Sequence, residues 1–142
     1  MRDPEYFGSF FGRWMQMILG IGTDIVEISR IRKAAARESF VGRVFTRAEA
    51  EYCQSRGHGM AASLAGRFAA KEAFMKALGT GLREGRLQEI EILADELGCP
   101  HVELAGRFLA LARQRGVARC QISISHSREY ATALCVLEGE GK

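Results

Sequence analysis

Glu72 and Lys76 lie four residues apart, the spacing that places two side chains on one face of a helix. Such a pair is met in ordinary surface ion pairs worth about 0.3–0.5 kcal/mol. Here, however, it sits in a stretch that is otherwise apolar: Phe68, Ala69, Ala70, Ala73, Phe74, Met75, Ala77 and Leu78, with Arg67, Lys71, Glu72 and Lys76 almost its only charges. A charge cluster on a mostly buried helix points to a site. Asp24 interrupts an apolar run in the same way. An ionised carboxylate there is costly unless it meets a cation, a partner or water at the strand end. Ser125-His126-Ser127 closes an alternating stretch, where side chains are displayed at a strand end. A Ser/His hydrolase would need a GxSxG elbow, which the chain lacks, and a turn held by local hydrogen bonds explains the tripeptide equally. Gly20-Ile21-Gly22 and Gly79-Thr80-Gly81 do not complete a dinucleotide or P-loop pattern. Gly79–Gly81 suits either a close backbone approach to phosphate or a plain helix stop. Between Ser29 and Arg47 six basic residues (Arg30, Arg32, Lys33, Arg37, Arg43, Arg47) face one acid, Glu38. The stretch is either a solvated face or a docking surface for an acidic partner.

The elements that must position these groups follow from periodicity and punctuation. Met17–Ile28 reads as a strand rich in Ile and Val. Ser29–Arg37 reads as a helix with Ser29 as N-cap. Thr46-Arg47-Ala48-Glu49 is a capping box opening a helix to about Arg56. Ala61–Leu78 is the longest helix, stopped by Gly79. Ile90–Ile92 and Pro100–Leu104 form a hairpin around a turn at Asp95–Gly98. Phe108–Arg115 is helical, and Cys120–Ser125 and Tyr130–Leu137 are strands. This order predicts an α+β fold, with a mixed or antiparallel sheet around one long central helix.

The chain has 142 residues, 47% hydrophobic and 26% charged, enough for one globular domain and too apolar for whole-chain disorder. The net charge of +3 is too mild to argue for nucleic acid, and few aromatics interleave with the basic residues. Cys53, Cys99, Cys120 and Cys135 contain no CxxC, and His58, His101 and His126 have no ligand spacing. The cysteines read as small buried hydrophobes in a reducing, cytoplasmic setting. Residues 1–16 lack the charge pattern and cleavage site of a signal peptide, and the apolar stretch Trp14–Gly22 is far short of the ~20 residues of a membrane helix. They read as an extension of unknown role, with the working domain over 17–142.

Three segments taken together resemble the holo-[acyl-carrier-protein] synthases, the small branch of the 4′-phosphopantetheinyl transferases: GIGTDIVEISRI (Gly20–Ile31), GRFAAKEAFMKALGTG (Gly66–Gly81) and ISISHSREYATA (Ile122–Ala133). All three occur in order, and the resemblance covers Met17–Leu137. It implies the 4′-phosphopantetheinyl transferase-like fold. It also implies transfer of 4′-phosphopantetheine from coenzyme A to a serine of an apo acyl carrier protein, with adenosine 3′,5′-bisphosphate as the other product. Mg²⁺ is the implied cofactor and fatty-acid biosynthesis the implied setting. Carried over by motif, Asp24 and Glu72 are metal ligands and Lys76 contacts the attacked phosphate, with Lys76, Glu72 or a metal-bound water as the base for the carrier serine. Arg67, Gly79, His126 and Ser127 belong to the coenzyme A site, and Arg30, Arg37 and Arg43 dock the acidic carrier. The resemblance implies a homotrimer with active sites at subunit interfaces, without nucleic acid or membrane as partner. Ser127 stands where threonine is common in the family, and Cys99 where lysine is frequent.

The chemistry suits the assignment, because Mg²⁺ takes one or two carboxylates together with waters and phosphate oxygens. The nucleophile belongs to the carrier, so no Ser-His triad is needed. Two other classes compete: a silent binding module, which would have no reason to keep Asp24, Glu72 and Lys76 together, and a metal-dependent phosphohydrolase, which would not need the basic face.

Overall fold

Glycine at positions 20 and 22 decides how the long helix meets the first strand. Residues 16–81 and 84–140 are described by a computed structural model of the chain. Strand β1 (Gln16–Glu27) lies antiparallel to β5 (Tyr130–Glu140), and β5 pairs on its other side with β4 (Val117–His126), giving the order β1-β5-β4. Helix α4 (Met60–Leu78) crosses one face of this sheet. A Cβ built on Gly20 would stand 1.9 Å from the carbonyl oxygen of Ala77, and one on Gly22 would stand 2.0 Å from that of Ala73. The helix backbone therefore rests directly on the strand, which only glycine below and alanine above permit. Gly20-Ile21-Gly22 is thus a packing device.

Helix α4 is buried on nearly every side, with Leu64, Ala65, Ala69, Ala70, Ala73, Phe74, Met75 and Leu78 in the core. A helix apolar all round belongs in the middle of a domain. Around it stand α1 (Ile28–Ala35), α2 (Glu38–Val44), α3 (Arg47–Ser55) and the hairpin of β2 (Ile90–Ala94) with β3 (Pro100–Leu104), which forms a separate two-stranded sheet. Helix α5 (Gly106–Gln114) brings Phe108 edge-on to Phe74, with ring centres 6.3 Å apart. Helix α4 ends at Gly79, whose φ of 77° is left-handed; Gly79 N–H donates to Lys76 O and Thr80 N–H to Met75 O.

The α+β architecture with a long central helix is the one the sequence predicts, with three differences. Helix α2 was not anticipated: Arg37 adopts an extended conformation that ends the predicted 29–37 helix early, and Phe40 then seeds a new turn against Phe45 and Phe68. Ser29 is not the cap of α1, because Glu27 holds that position, and Ile28 N–H donates instead to Glu129 O across the sheet edge. The third concerns Lys71, grouped above with the chemical residues. Its side chain is fully buried, and Nζ donates to Glu49 Oε1 (2.7 Å), Leu87 O (3.0 Å) and Ile90 O (2.8 Å). Glu49 accepts in addition from Thr46 N (2.9 Å) and Ile92 N (3.1 Å). The capping box of α3 thus also clamps α4 and β2. Burial pulls the Lys71 ammonium below the usual lysine range, against the opposing pull of Glu49. With all three N–H donors used, the pair is scaffold.

Candidate active site

β1 delivers Asp24 from its helix-facing side, opposite Ala133 of β5, and α4 delivers Glu72 and Lys76 from successive turns. Lys76 Nζ reaches the edge of β1, donating to Asp24 Oδ1 at 3.1 Å and to Thr23 O at 3.0 Å. An ammonium has three N–H bonds, so one remains for another acceptor. Lys76 is exposed and Asp24 only slightly so. Glu72 is half-buried and has no salt-bridge partner among the described residues. Burial first, and the charge of Asp24 second, push its carboxyl above the usual glutamate range, while Lys76 pulls it back.

That imbalance tests whether a divalent ion fits. Two carboxylates repel each other beside one ammonium, and a cation between them would offset both the repulsion and the burial. Among the described residues no group of three or more His, Cys, Asp or Glu could hold a metal. Asp24 and Glu72 would offer an ion two carboxylates, a donor set that suits Mg²⁺ completed by water and phosphate oxygens and does not suit a closed structural site.

Two cavities meet at Glu72. One, of about 540 Å³, runs over Asp24, Arg30, Phe40 and Phe68; the other, of about 590 Å³, runs over Phe40, Arg43, Phe68, Arg86 and Leu87. Phe40 and Phe68, with ring centres 6.4 Å apart, partition them. Of the three carrier-docking candidates, Arg30 and Arg43 line these cavities, and all three are exposed. Arg37 joins α1 to α2.

The coenzyme-site candidates are elsewhere. Arg67 and His126 share a third cavity of about 370 Å³ with Tyr52, Arg56 and Ser63. Ser127 opens the β4–β5 turn, its N–H donating to Tyr130 O at 2.8 Å. Arg67 lies about 140° round the helix from Glu72 and about 180° from Lys76, at 100° per residue. Gly79 is about 18 Å along the helix from Arg67 and forms the helix stop. Within one chain the structure thus gathers Asp24, Glu72 and Lys76 on one side of α4, and Arg67 with His126 on another. Tyr52, Arg56 and Ser63 were not singled out by the sequence. Their only signal was proximity to a helix end rich in small residues.

Two carboxylates and an ammonium, with Arg30 and Arg43 lining the adjoining cavities, have the chemistry that a phosphorylated substrate calls for. Comparison with known proteins narrows that class. Residues 20–135 match the pattern of the 4′-phosphopantetheinyl transferase superfamily. The holo-[acyl-carrier-protein] synthase of Fusobacterium nucleatum is 46% identical over 122 residues, 85% of this chain and 99% of that protein. The crystal structure of the synthase from Neisseria meningitidis superposes with a TM-score of 0.78 at 37% identity, covering 85% of this chain and 98% of that one. The synthase from Bacillus anthracis, solved in complex with CoA (3′,5′-ADP), gives a TM-score of 0.73 at 38% identity over 87% of this chain and 98% of that one. The chain belongs to the 4′-phosphopantetheinyl transferase superfamily, in its holo-[acyl-carrier-protein] synthase branch.

Proposed function

We propose that this chain transfers 4′-phosphopantetheine from coenzyme A to a serine of an apo acyl carrier protein, releasing adenosine 3′,5′-bisphosphate. The observation that carries the reading is the meeting of Asp24 and Glu72 beside Lys76, with Arg30 and Arg43 on the walls of the cavities that Glu72 joins. Asp24 and Glu72 would hold Mg²⁺, which when bound neutralises charge on the pyrophosphate that is to be broken. Lys76 offers its remaining N–H to the phosphate under attack, and Asp24 and the Thr23 carbonyl hold that ammonium in place. The carrier supplies the nucleophile. The exposed Arg30, Arg37 and Arg43 dock its acidic surface, so that the serine arrives where Glu72 lies.

Arg67, His126 and Ser127 bind the nucleotide, with Gly79 at the far end of the same helix. Within one chain the carboxylates and the Arg67–His126 cavity face different sides of α4. This supports a homotrimer in which one copy presents the carboxylates and its neighbour the Arg67 and His126 cavity. The outer face of the sheet supports it too, because Ile21, Ile25 and Leu134 are exposed there at 59%, 63% and 40%. The working domain is 17–142. No helix among the described residues is long and apolar enough to cross a membrane, and the setting we propose is cytoplasmic.

The test is intact mass spectrometry of apo carrier incubated with the protein, coenzyme A and Mg²⁺. The expected result is a mass gain of one phosphopantetheine that a chelator abolishes. Phosphopantetheine released to water without carrier would instead identify a hydrolase. Binding of coenzyme A with no transfer would identify a binding module.

A further inference from the structure

Arg67 is held in an unusual way for a buried guanidinium. It is 8% exposed and makes no salt bridge to a carboxylate of the described residues. Its Nη1 donates to Ser63 Oγ at 2.9 Å, one turn earlier on α4. Its Cζ lies 4.3 Å from the centre of the Tyr52 ring, which comes from α3. Nε is buried and has no hydrogen-bond partner. The Arg56 guanidinium reaches the same ring at 5.7 Å. Arg67, Arg56, Tyr52, Ser63 and His126 all line the cavity of about 370 Å³, and no Asp or Glu is among its lining residues.

A buried guanidinium is usually steadied by a carboxylate, which neutralises it. An aromatic face and a hydroxyl steady it without removing its charge. The orientation is then fixed while the positive charge and an unused N–H stay available to an anion. Nothing in the cavity wall competes for them.

We infer that Tyr52 is a positioning residue: its ring, with the Ser63 hydroxyl, holds the Arg67 guanidinium at the cavity so that it meets a phosphate of the coenzyme A nucleotide. This rests on the reading that the nucleotide lies in that cavity. The ring face matters and the phenolic hydroxyl does not, so the role separates cleanly by substitution. Tyr52→Phe keeps the face. Tyr52→Leu keeps bulk and apolarity and removes the face. Tyr52 is 37% exposed, so neither change empties the core. Ser63→Ala removes the second support and leaves the ring.

The experiment is calorimetric titration of the full chain with adenosine 3′,5′-bisphosphate, together with steady-state kinetics in coenzyme A. Tyr52→Phe should bind within about twofold of the wild type, because the π face is retained. Tyr52→Leu should bind roughly threefold to thirtyfold more weakly, the range of a cation–π contact from exposed to desolvated. The coenzyme A KM should rise in the same ratio, with kcat at saturation and the carrier KM little moved. Should Tyr52→Leu fail to fold, Ser63→Ala carries the test, with a smaller loss of the same kind expected. Unchanged binding in Tyr52→Leu, or equal losses in Tyr52→Phe and Tyr52→Leu, would overturn the positioning role while leaving the nucleotide site in place. A wild-type protein that does not bind the bisphosphate would remove the nucleotide reading of the cavity, and the inference with it.

Discussion

Helix α4 carries two clusters of charge within two turns, and they are built on opposite plans. At Lys71 every donor has an acceptor: one carboxylate and two carbonyls, all within 3.0 Å, and no surface exposed. Around Glu72 and Lys76 the count is deliberately short. Two carboxylates share one ammonium, that ammonium has a donor to spare, and Glu72 is pushed toward its protonated form. A saturated ion pair fixes the fold, because every group would lose a partner on opening. An unsaturated one is unfavourable until something else completes it. The two are adjacent in sequence and similar in composition, so the difference lies in satisfaction, not in residue type.

Removing a carboxylate from the open cluster should have the largest effect. Asp24→Ala and Glu72→Ala should each lower the transfer rate roughly ten-thousandfold, about 5 kcal/mol, with unchanged folding by circular dichroism. Activity retained in both removes the metal assignment. Cutting the closed cluster should instead unfold: Lys71→Met leaves Glu49 buried and unpaired and should cost about 3–5 kcal/mol in urea denaturation. Replacing both partners (Glu49→Leu with Lys71→Met) removes the unpaired charge and should recover only part of that loss, because the Thr46 and Ile92 N–H groups and the Leu87 and Ile90 carbonyls then lack their partners. Gly22→Ala puts a methyl against the Ala73 carbonyl and should cost about 3 kcal/mol by the same measurement.

Smaller effects sharpen the picture. Reversing Arg30 and Arg37 to Glu should raise the carrier KM about tenfold, with the coenzyme A KM nearly constant and the effect fading in high salt. An unchanged carrier KM would end the docking assignment. Last, the open cluster should be destabilising when no cation is present. The Glu72 carboxyl is raised, so its contribution to stability is present below the ordinary glutamate value of 4.5 and is lost as pH rises through its folded value. In chelator at pH 7, Glu72→Gln should therefore melt above the wild type, and the gap should close as pH falls toward 4.5. Added Mg²⁺ should raise the melting temperature of the wild type more than that of Glu72→Gln. A wild type as stable as Glu72→Gln in chelator would show that the cluster carries no such strain.

How far the sequence carries is visible in these same residues. Asp24, Glu72 and Lys76 were legible because each places charge where the periodicity demands an apolar side chain. Lys71 satisfies that criterion equally, yet it belongs to the scaffold. What sets it apart is Glu49, which reads as a routine N-cap partner, and no local rule says that the cap will be folded into the core. Tyr52 gave no signal beyond its nearness to a helix end, since a half-exposed tyrosine on a short helix is ordinary until its partner on another helix is known. The long helix, its glycine stop and the hairpins came from local chemistry. Helix α2 did not, because Gly42 weakens its pattern and Phe40 is helical on account of Phe45 and Phe68. The meaning of Gly20 and Gly22 also lay in tertiary contact, where a strand touches a helix backbone.

That contact has a genetic consequence. A one-base change in a glycine codon is silent, or gives an amino acid that bears a side chain, or gives a stop. At positions 20 and 22 every such amino acid begins with the Cβ that the carbonyls of Ala77 and Ala73 leave no room for. The strand and the helix that between them hold Asp24 and Lys76 are thus locked by two positions that tolerate silent changes alone. A saturation library of the gene should score these two glycines as intolerant as Asp24, Glu72 and Lys76, although they carry no functional group.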